Sequence, residues 1–481
     1  MARKAAIIGG GVIGGGWAAR FLLNGWNVSV FDPDPDTPRK IAETLGSARM
    51  AMASISDLPM PPEGTLTFAQ SIAEAAQGAR YIQETVPERL DLKHQIIAQI
   101  QQVSPECPLG SSGSGFKPSE LQQGAVNPGT IFTAHPVDPV YLLPLVEIVA
   151  SPASDPALIE AVKETLRNIG MYPLHVSKDI DGAIADRLQS AVMREALGLV
   201  RDGVATAGEI DQVIRMGLGL RWGQVALFGS DLLAGKDAET TPAQTQRGLL
   251  ADLKDAPDVT GETGPLIERL SVADFDRPLV DQRARLRDRN LIGFLRVLKD
   301  RDWGAGKVLL DYDERRRSAL PDPTPDIAAP MVIAHMQVLP AWIDYNGHMT
   351  ESRYLFACSE TTDAFLRLIG AGLDYVAGGY SYYTAETHIL HKGEAKLGEH
   401  LTGSVQVLGA DEKRLHLFVR IERGGQTVAT LEQMLLHVDM KAGRACASST
   451  EIQSRLLPIA VAHRALPVPE GAGRHVGQRR E

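Results

Sequence analysis

The chain has 481 residues, 44% hydrophobic and 22% charged, the balance of a globular protein with room for about two to three domains. Its 49 basic and 59 acidic side chains leave a formal net charge of −10, which gives a nucleic-acid role no electrostatic support. Cys107, Cys358 and Cys446 are too few and too scattered for a disulfide framework or a zinc site, and no apolar run reaches the roughly 18 residues of a membrane span.

The first predicted element is a buried strand over Ala5 to Ile8, entered almost directly from Met1. With no charged leader ahead of it, the chain is expected to be cytoplasmic. Gly9, Gly11 and Gly14 supply G-x-G-x-x-G, and Ile13 to Asn24 has helical apolar spacing. A second strand, Val28 to Phe31, ends at Asp32, about 20 residues beyond the motif, where the dinucleotide fingerprint needs an acid. Gly9 permits the tight turn, Gly11 lets backbone approach a pyrophosphate, and Gly14 lets helix and strand close on each other. The amides around Val12 and Ile13, at the helix start, face the phosphates. Asp32 can bind both ribose hydroxyls and would repel a 2′-phosphate, so the expected cofactor is NAD.

From Asp36 to about Val103 helical stretches alternate with short strands: a helix over Ser71 to Gln77, a strand over Arg80 to Glu84, a helix over Leu90 to Gln101. The segment CPLGSSGSGFKPSEL (Cys107 to Leu121) is followed by IFTAHPVDPVYLLPLVEIV (Ile131 to Val149). Serine, histidine and a glutamate twelve positions later could line one cleft. Equally, a histidine before proline suits a turn and the glutamate could pair with a surface lysine.

Residues 5 to about 315 resemble the 3-hydroxyacyl-CoA dehydrogenase superfamily: the glycine fingerprint, the VPE of Val86 to Glu88 followed by Lys93, the serine-rich turn and the His135 to Glu147 spacing stand in family register. The resemblance implies that Glu88 and Lys93 belong to the cofactor site. Ser114, or Ser112 in a shifted register, would bond the substrate oxygen. His135 would be general base and Glu147 would orient it. A secondary alcohol loses its hydroxyl proton as hydride leaves the same carbon, and imidazole takes that proton near neutral pH.

Ser177 to Gly203 reads as a long helix with Asp181 as N-cap, opening a mainly helical domain. The family's active-site asparagine is here Asp186, within GAIADR; an acid in that place suits a cationic substrate, or could be a helix-surface acid paired to Arg187 or Arg194. MGLGLRWGQVALFGS (Met216 to Ser230) resembles carnitine dehydrogenases and their lambda-crystallin-like relatives, as does Arg287 to Arg317. Trp222 and Phe228 could face a quaternary ammonium, or could simply be core.

A proline-rich linker, Ser318 to Pro330, precedes a second module. There a strand over Val332 to Leu339, a helix over Ser352 to Ile369 and strands over Leu401 to Leu408, Arg414 to Glu422 and Thr427 to Asp439 suit a hot-dog fold. About Met331 to Ala447 resembles the hot-dog acyl-CoA thioesterases, whose D-x-x-G-H-x-N appears as Asp344, Gly347, His348 and a departing Thr350. The resemblance makes Asp344 general base or nucleophile; His348 reads as structural, and a thioesterase fold that binds CoA without turnover stays open beside this. From Pro467 onward disorder is expected.

The expected architecture is therefore an α/β Rossmann domain (1–177), an all-α substrate and dimerisation domain (178–317), a linker (318–330), an α+β hot-dog domain (331–455) and a tail (456–481). The fusion is similar to the bacterial bifunctional L-carnitine dehydrogenase and betainyl-CoA thioesterase family. That family implies NAD-dependent oxidation of L-carnitine, hydrolysis of betainyl-CoA, and a homodimer. Two alternatives stand beside it: a 3-hydroxyacyl-CoA dehydrogenase carrying a generic thioesterase, and a non-catalytic crystallin-like NAD-binding protein.

Overall fold

The computed structural model describes residues 3–58, 60–180, 182–226, 277–319, 326–339 and 342–474. They divide into two compact units, Met1–Ala51 with Pro62–Tyr312 and Met52–Pro61 with Asp313–Glu481.

The first unit is built on an eight-stranded sheet. Its strands are β1 (Lys4–Ile8), β2 (Asn27–Phe31), β3 (Leu66–Phe68), β4 (Tyr81–Glu84), β5 (Leu109–Ser111), β6 (Ile131–Pro136), β7 (Leu145–Val149) and β8 (Tyr172–Val176), in spatial order β3-β2-β1-β4-β5-β6-β7-β8. Neighbours run parallel except β6 and β7. Ala5, Ala6, Ile7 and Ile8 are all buried, as a strand covered on both faces requires. The chain order reverses between β1 and β4, so the connections after them part and leave a crevice at the carboxyl edge.

Helices α1 (Val12–Leu23), α2 (Thr37–Ile55), α3 (Ile72–Ala76), α4 (Leu90–Val103), α5 (Pro118–Leu121) and α6 (Pro156–Asn168) connect these strands. Gly9 takes φ +103°, and a Cβ on Gly14 would collide with the Gly9 carbonyl oxygen, so the motif's close turn demands glycine at both. The long helix α7 spans Ile184–Arg201 and starts seven residues later than its apolar spacing suggests. Strand β8 runs to Val176, and Ala183 holds the N-cap position without a side-chain bond; Asp181 lies outside the described residues.

The second unit holds an antiparallel sheet of β9 (Met331–Gln337), β10 (Tyr380–His391), β11 (His400–Ala410), β12 (Arg414–Arg423), β13 (Gln426–Asp439) and β14 (Arg444–Ala445). Its order is β10-β13-β12-β11-β9, with β14 on β13. The helix Glu351–Leu368 buries Tyr354, Ala357, Cys358, Thr361 and Phe365, one or two residues per turn. A Cβ on Gly403 of β11 would strike the Thr361 side chain, so glycine there lets the helix settle close to the sheet. This is the hot-dog arrangement.

Among the longer elements of this unit, β10 and the helix Thr450–His463 were not singled out in the sequence, and the helix runs through the expected domain border at 455. Beyond it the chain stays tied to the sheet: Gln406 Nε2 donates to Pro467 O at 3.1 Å and Gly473 N to Glu432 Oε2 at 2.6 Å. The expected disorder from Pro467 therefore does not extend to these residues; 475–481 lie outside the description.

Candidate active sites

At the glycine turn, Gly10 N donates to Asp32 Oδ2 at 2.6 Å and Asp34 N to Asp32 Oδ1 at 2.8 Å. Each carboxylate oxygen keeps a lone pair for a ribose hydroxyl. A Cβ on Gly11 would meet nothing within 4 Å, Val12 is exposed, and the α1 N-cap has no side-chain partner. Open backbone, uncapped N–H groups of Val12 and Ile13, and a fixed acid at the next strand end fit NAD.

Lys93 is wholly buried, with Nζ 3.0 Å from both oxygens of the equally buried Glu84. Ser111 Oγ donates to Glu84 Oε2 at 2.6 Å, and Glu88 Oε1 lies 3.7 Å from Nζ. Glu88 also lies against Gly113 and Gly115, where a Cβ would meet its carboxylate. Lys93 thus holds Glu84 at the end of β4 and lies beside Glu88 in the loop beyond it. Glu84 was missed in the sequence, although a buried strand ending YIQE carries its own signal: an acid there needs a partner.

Strand pairing sets His135 directly opposite Glu147. The Glu147 carboxylate, 1% exposed, accepts Ile184 N at 2.6 Å and Ala185 N at 2.8 Å, so it caps the start of α7. His135 Nδ1 is buried with no hydrogen-bond partner among the described residues. His135 Nε2 instead lies 3.4 Å from Asp186 Oδ2, in the first turn of α7. The geometry differs from a simple His–Glu hydrogen bond: Glu147 anchors the helix whose first turn brings Asp186 to the imidazole.

Behind these groups, buried Arg20 of α1 donates to Val140 O at 2.9 Å and Leu143 O at 3.3 Å, tying α1 to the loop between β6 and β7. Burial lowers its guanidinium to about 10, which leaves it charged at neutral pH. Ser112 Oγ accepts from Trp17 Nε1 at 3.2 Å and Gln83 Nε2 at 2.7 Å, whereas Ser114 makes no side-chain hydrogen bond among the described residues. Ser114 lies near α7, its carbonyl oxygen 3.7 Å from where a Cβ on Gly182 would sit. Trp222 lies half-buried on the helix Gly219–Val225, with no aromatic or cation partner among the described residues; Phe228 lies outside them.

In the second unit, Asp344 stands in a tight turn ahead of the helix Glu351–Leu368. Its backbone N–H donates to His348 O at 2.9 Å, and its Oδ1 accepts from Asn346 N at 2.8 Å. His348 Nε2 lies 3.1 Å from Glu394 Oε2. Thr350 takes the N-cap position without a side-chain bond, so the first amides of that helix are uncapped.

Residues 4–180 match the family described as 3-hydroxyacyl-CoA dehydrogenase, NAD binding domain, residues 182–252 its C-terminal domain, and residues 338–469 the thioesterase-like superfamily. A protein of Ruegeria pomeroyi described as L-carnitine dehydrogenase/betainyl-CoA thioesterase is 50% identical, with 98% of each chain covered. One of Rhizobium meliloti with the same description is 44% identical, with 99% of each covered. Among solved structures, 5-formyl-3-hydroxy-2-methylpyridine 4-carboxylic acid 5-dehydrogenase, an NAD+ dependent dismutase, is 26% identical with a TM-score of 0.56, covering 62% of this chain and 99% of its own.

Proposed function

Since the chain belongs to the family of bifunctional L-carnitine dehydrogenase/betainyl-CoA thioesterases, an NAD-dependent dehydrogenase joined to a thioesterase, we propose that it oxidises L-carnitine to 3-dehydrocarnitine and hydrolyses betainyl-CoA to glycine betaine and CoA. The observation that carries the first half is Asp186 beside His135. Bound at the glycine turn, NAD supplies the hydride acceptor.

His135 takes the C3 hydroxyl proton on Nε2. The 3.4 Å separation from Asp186 is longer than a made hydrogen bond, so Nε2 stays open to a substrate hydroxyl. As the imidazole gains charge, the Asp186 carboxylate stabilises it, and the same carboxylate offers the trimethylammonium of carnitine a counter-charge. Glu147 holds α7, and with it Asp186, in place. Ser114 is the candidate donor to the substrate oxygen, and Trp222 and Phe228 are the candidate aromatic faces for the ammonium.

In the second unit Asp344 serves as general base or nucleophile toward the thioester. The uncapped amides at the start of the helix Glu351–Leu368 polarise its carbonyl. The functional form is a homodimer, the state in which both family modules complete their sites. Replacing His135 with alanine is expected to abolish L-carnitine oxidation while NADH still binds, read by absorbance and by nucleotide fluorescence; oxidation at the wild-type rate would remove His135 as the base.

A further inference from the structure

Strand β2 ends on Phe31, and the chain then reads Asp32-Pro33-Asp34-Pro35-Asp36 before α2 begins at Thr37. Three acids stand at every second position, between two prolines whose φ is fixed. Each acid is bonded to the next. Asp32 Oδ1 accepts Asp34 N at 2.8 Å, and Asp34 Oδ1 accepts Asp36 N at 2.9 Å. The series therefore starts from the carboxylate that Gly10 N fixes at the glycine turn.

The first turn of α2 carries Arg39 and Lys40 and no acid. Cations there oppose the helix dipole, so the helix itself does not explain their placement. Both are tied down. Lys40 Nζ lies 2.6 Å from Asp34 Oδ2, and Arg39 holds Asp36 with Nε 2.9 Å from Oδ1 and Nη2 2.6 Å from Oδ2. Arg39 Nη1 meets Glu43 Oε1, one turn on. The contact with Lys40 holds the Asp34 carboxyl below the usual carboxylate range and the contact with Arg39 does the same for Asp36, so both acids stay charged. The side chains of the Lys40–Asp34 and Arg39–Asp36 pairs are 41% to 61% exposed, and exposed pairs of this kind add only about 0–1 kcal/mol to a fold. Their effect is on the local charge.

That charge lies beside the ribose site. A Cβ on Gly10 would strike the Thr37 methyl, so the start of α2 rests on the glycine turn, and Lys40 is reached from Asp32 through Asp34 alone. In this topology a 2′-phosphate is accepted where a basic side chain stands near the acid position at the end of the second strand. Here two basic side chains stand there, and Asp34, Asp36 and Glu43 occupy their donors. We propose that Arg39 and Lys40 form a latent site for the 2′-phosphate of NADP, masked by Asp34 and Asp36, which makes these two acids determinants of cofactor choice alongside Asp32. The proposal rests on the dinucleotide reading of the glycine turn and is independent of the alcohol substrate.

The test is fluorescence titration of the full-length enzyme with NADPH and with NADH. Asp32→Ser removes the acid that faces the 2′ position and serves as the background. Adding Asp34→Asn, which frees Lys40, is expected to tighten NADPH binding about tenfold, the scale of one released charge contact, and adding Asp36→Asn about tenfold again. NADH carries no phosphate at that position and should move by less than twofold in both steps. Lys40→Met, added to Asp32→Ser/Asp34→Asn, should return NADPH affinity to that of Asp32→Ser. NADPH affinity within twofold across the series, an equal gain for NADH, or a gain that survives Lys40→Met overturns the proposal. Should Asp32→Ser not fold, Asp32→Asn takes its place as background. A wild-type enzyme that binds neither nucleotide would remove the dinucleotide site and the proposal with it, whereas NADH binding with an unresponsive NADPH affinity overturns the proposal alone.

Discussion

With its carboxylate 3.4 Å from His135 Nε2 and 44% of its side chain exposed, Asp186 can meet two positive charges, the imidazolium formed in oxidation and the ammonium of a cationic substrate. Asp186→Asn keeps the shape and removes the charge. It is expected to lower kcat/KM for L-carnitine by about tenfold or more, the scale of one lost charge contact, measured by NADH formation. An unchanged value would leave the acid without a part in recognition. The residue types at this site were legible as types: a histidine, a glutamate twelve positions on, and an acid where the family resemblance implies an asparagine. Their partners were not. The family resemblance implied Glu147 on His135, yet the hairpin register sets the two opposite while both Glu147 oxygens accept from the first amides of α7. A glutamate on a helix N-terminus 37 residues ahead leaves no local pattern to read.

The anchoring of α7 through a single carboxylate makes a prediction about that helix. Glu147→Ala leaves the Ile184 and Ala185 amides without their acceptor, at a cost of about 2–4 kcal/mol for two hydrogen bonds to a buried charge. Hydrogen exchange in the first turn of α7 should speed up while exchange in β1 and β4 is unchanged; equal protection in both forms would contradict the anchor. In the second unit the register of β11 with β12 shifts between Val407 and Gly409, and Val407 N donates to His463 Nδ1 at 2.8 Å. His463 Nε2 meets Ala329 O at 3.2 Å, so the neutral ring accepts on one nitrogen and donates on the other. Protonation would set an N–H against the Val407 N–H. Burial lowers the basicity of both His463 and His437 from the usual 6.5. The unfolded chain then binds these protons first as pH falls, so stability is full above pH 6.5 and lost as the pH drops through the lowered values. His463→Gln, which cannot be protonated, should flatten that loss in a urea midpoint series from neutral pH downward; an unaltered slope would assign it elsewhere. The helix carrying His463 escaped notice because Pro458 lies inside it, and proline ordinarily ends a helical pattern. Strand β10 escaped because so many of its residues are exposed that no apolar alternation marks it. The helix Glu351–Leu368, with its apolar residues on one face, was legible to within a residue.

At the scale of the molecule, one chain carries two chemistries, each with its own sheet and its own core. The two should fail independently. Asp344→Ala is expected to abolish betainyl-CoA hydrolysis, followed by release of free CoA thiol, with L-carnitine oxidation retained, and His135→Ala the reverse. Loss of both activities from either single change would show that the units do not work separately. The most direct test of the account is NADH absorbance with the purified wild-type enzyme, NAD, and L-carnitine beside 3-hydroxybutyrate and 3-hydroxybutyryl-CoA at mildly alkaline pH. The account predicts turnover with L-carnitine and none with the two substrates that lack an ammonium; turnover with the CoA ester and none with L-carnitine would contradict it.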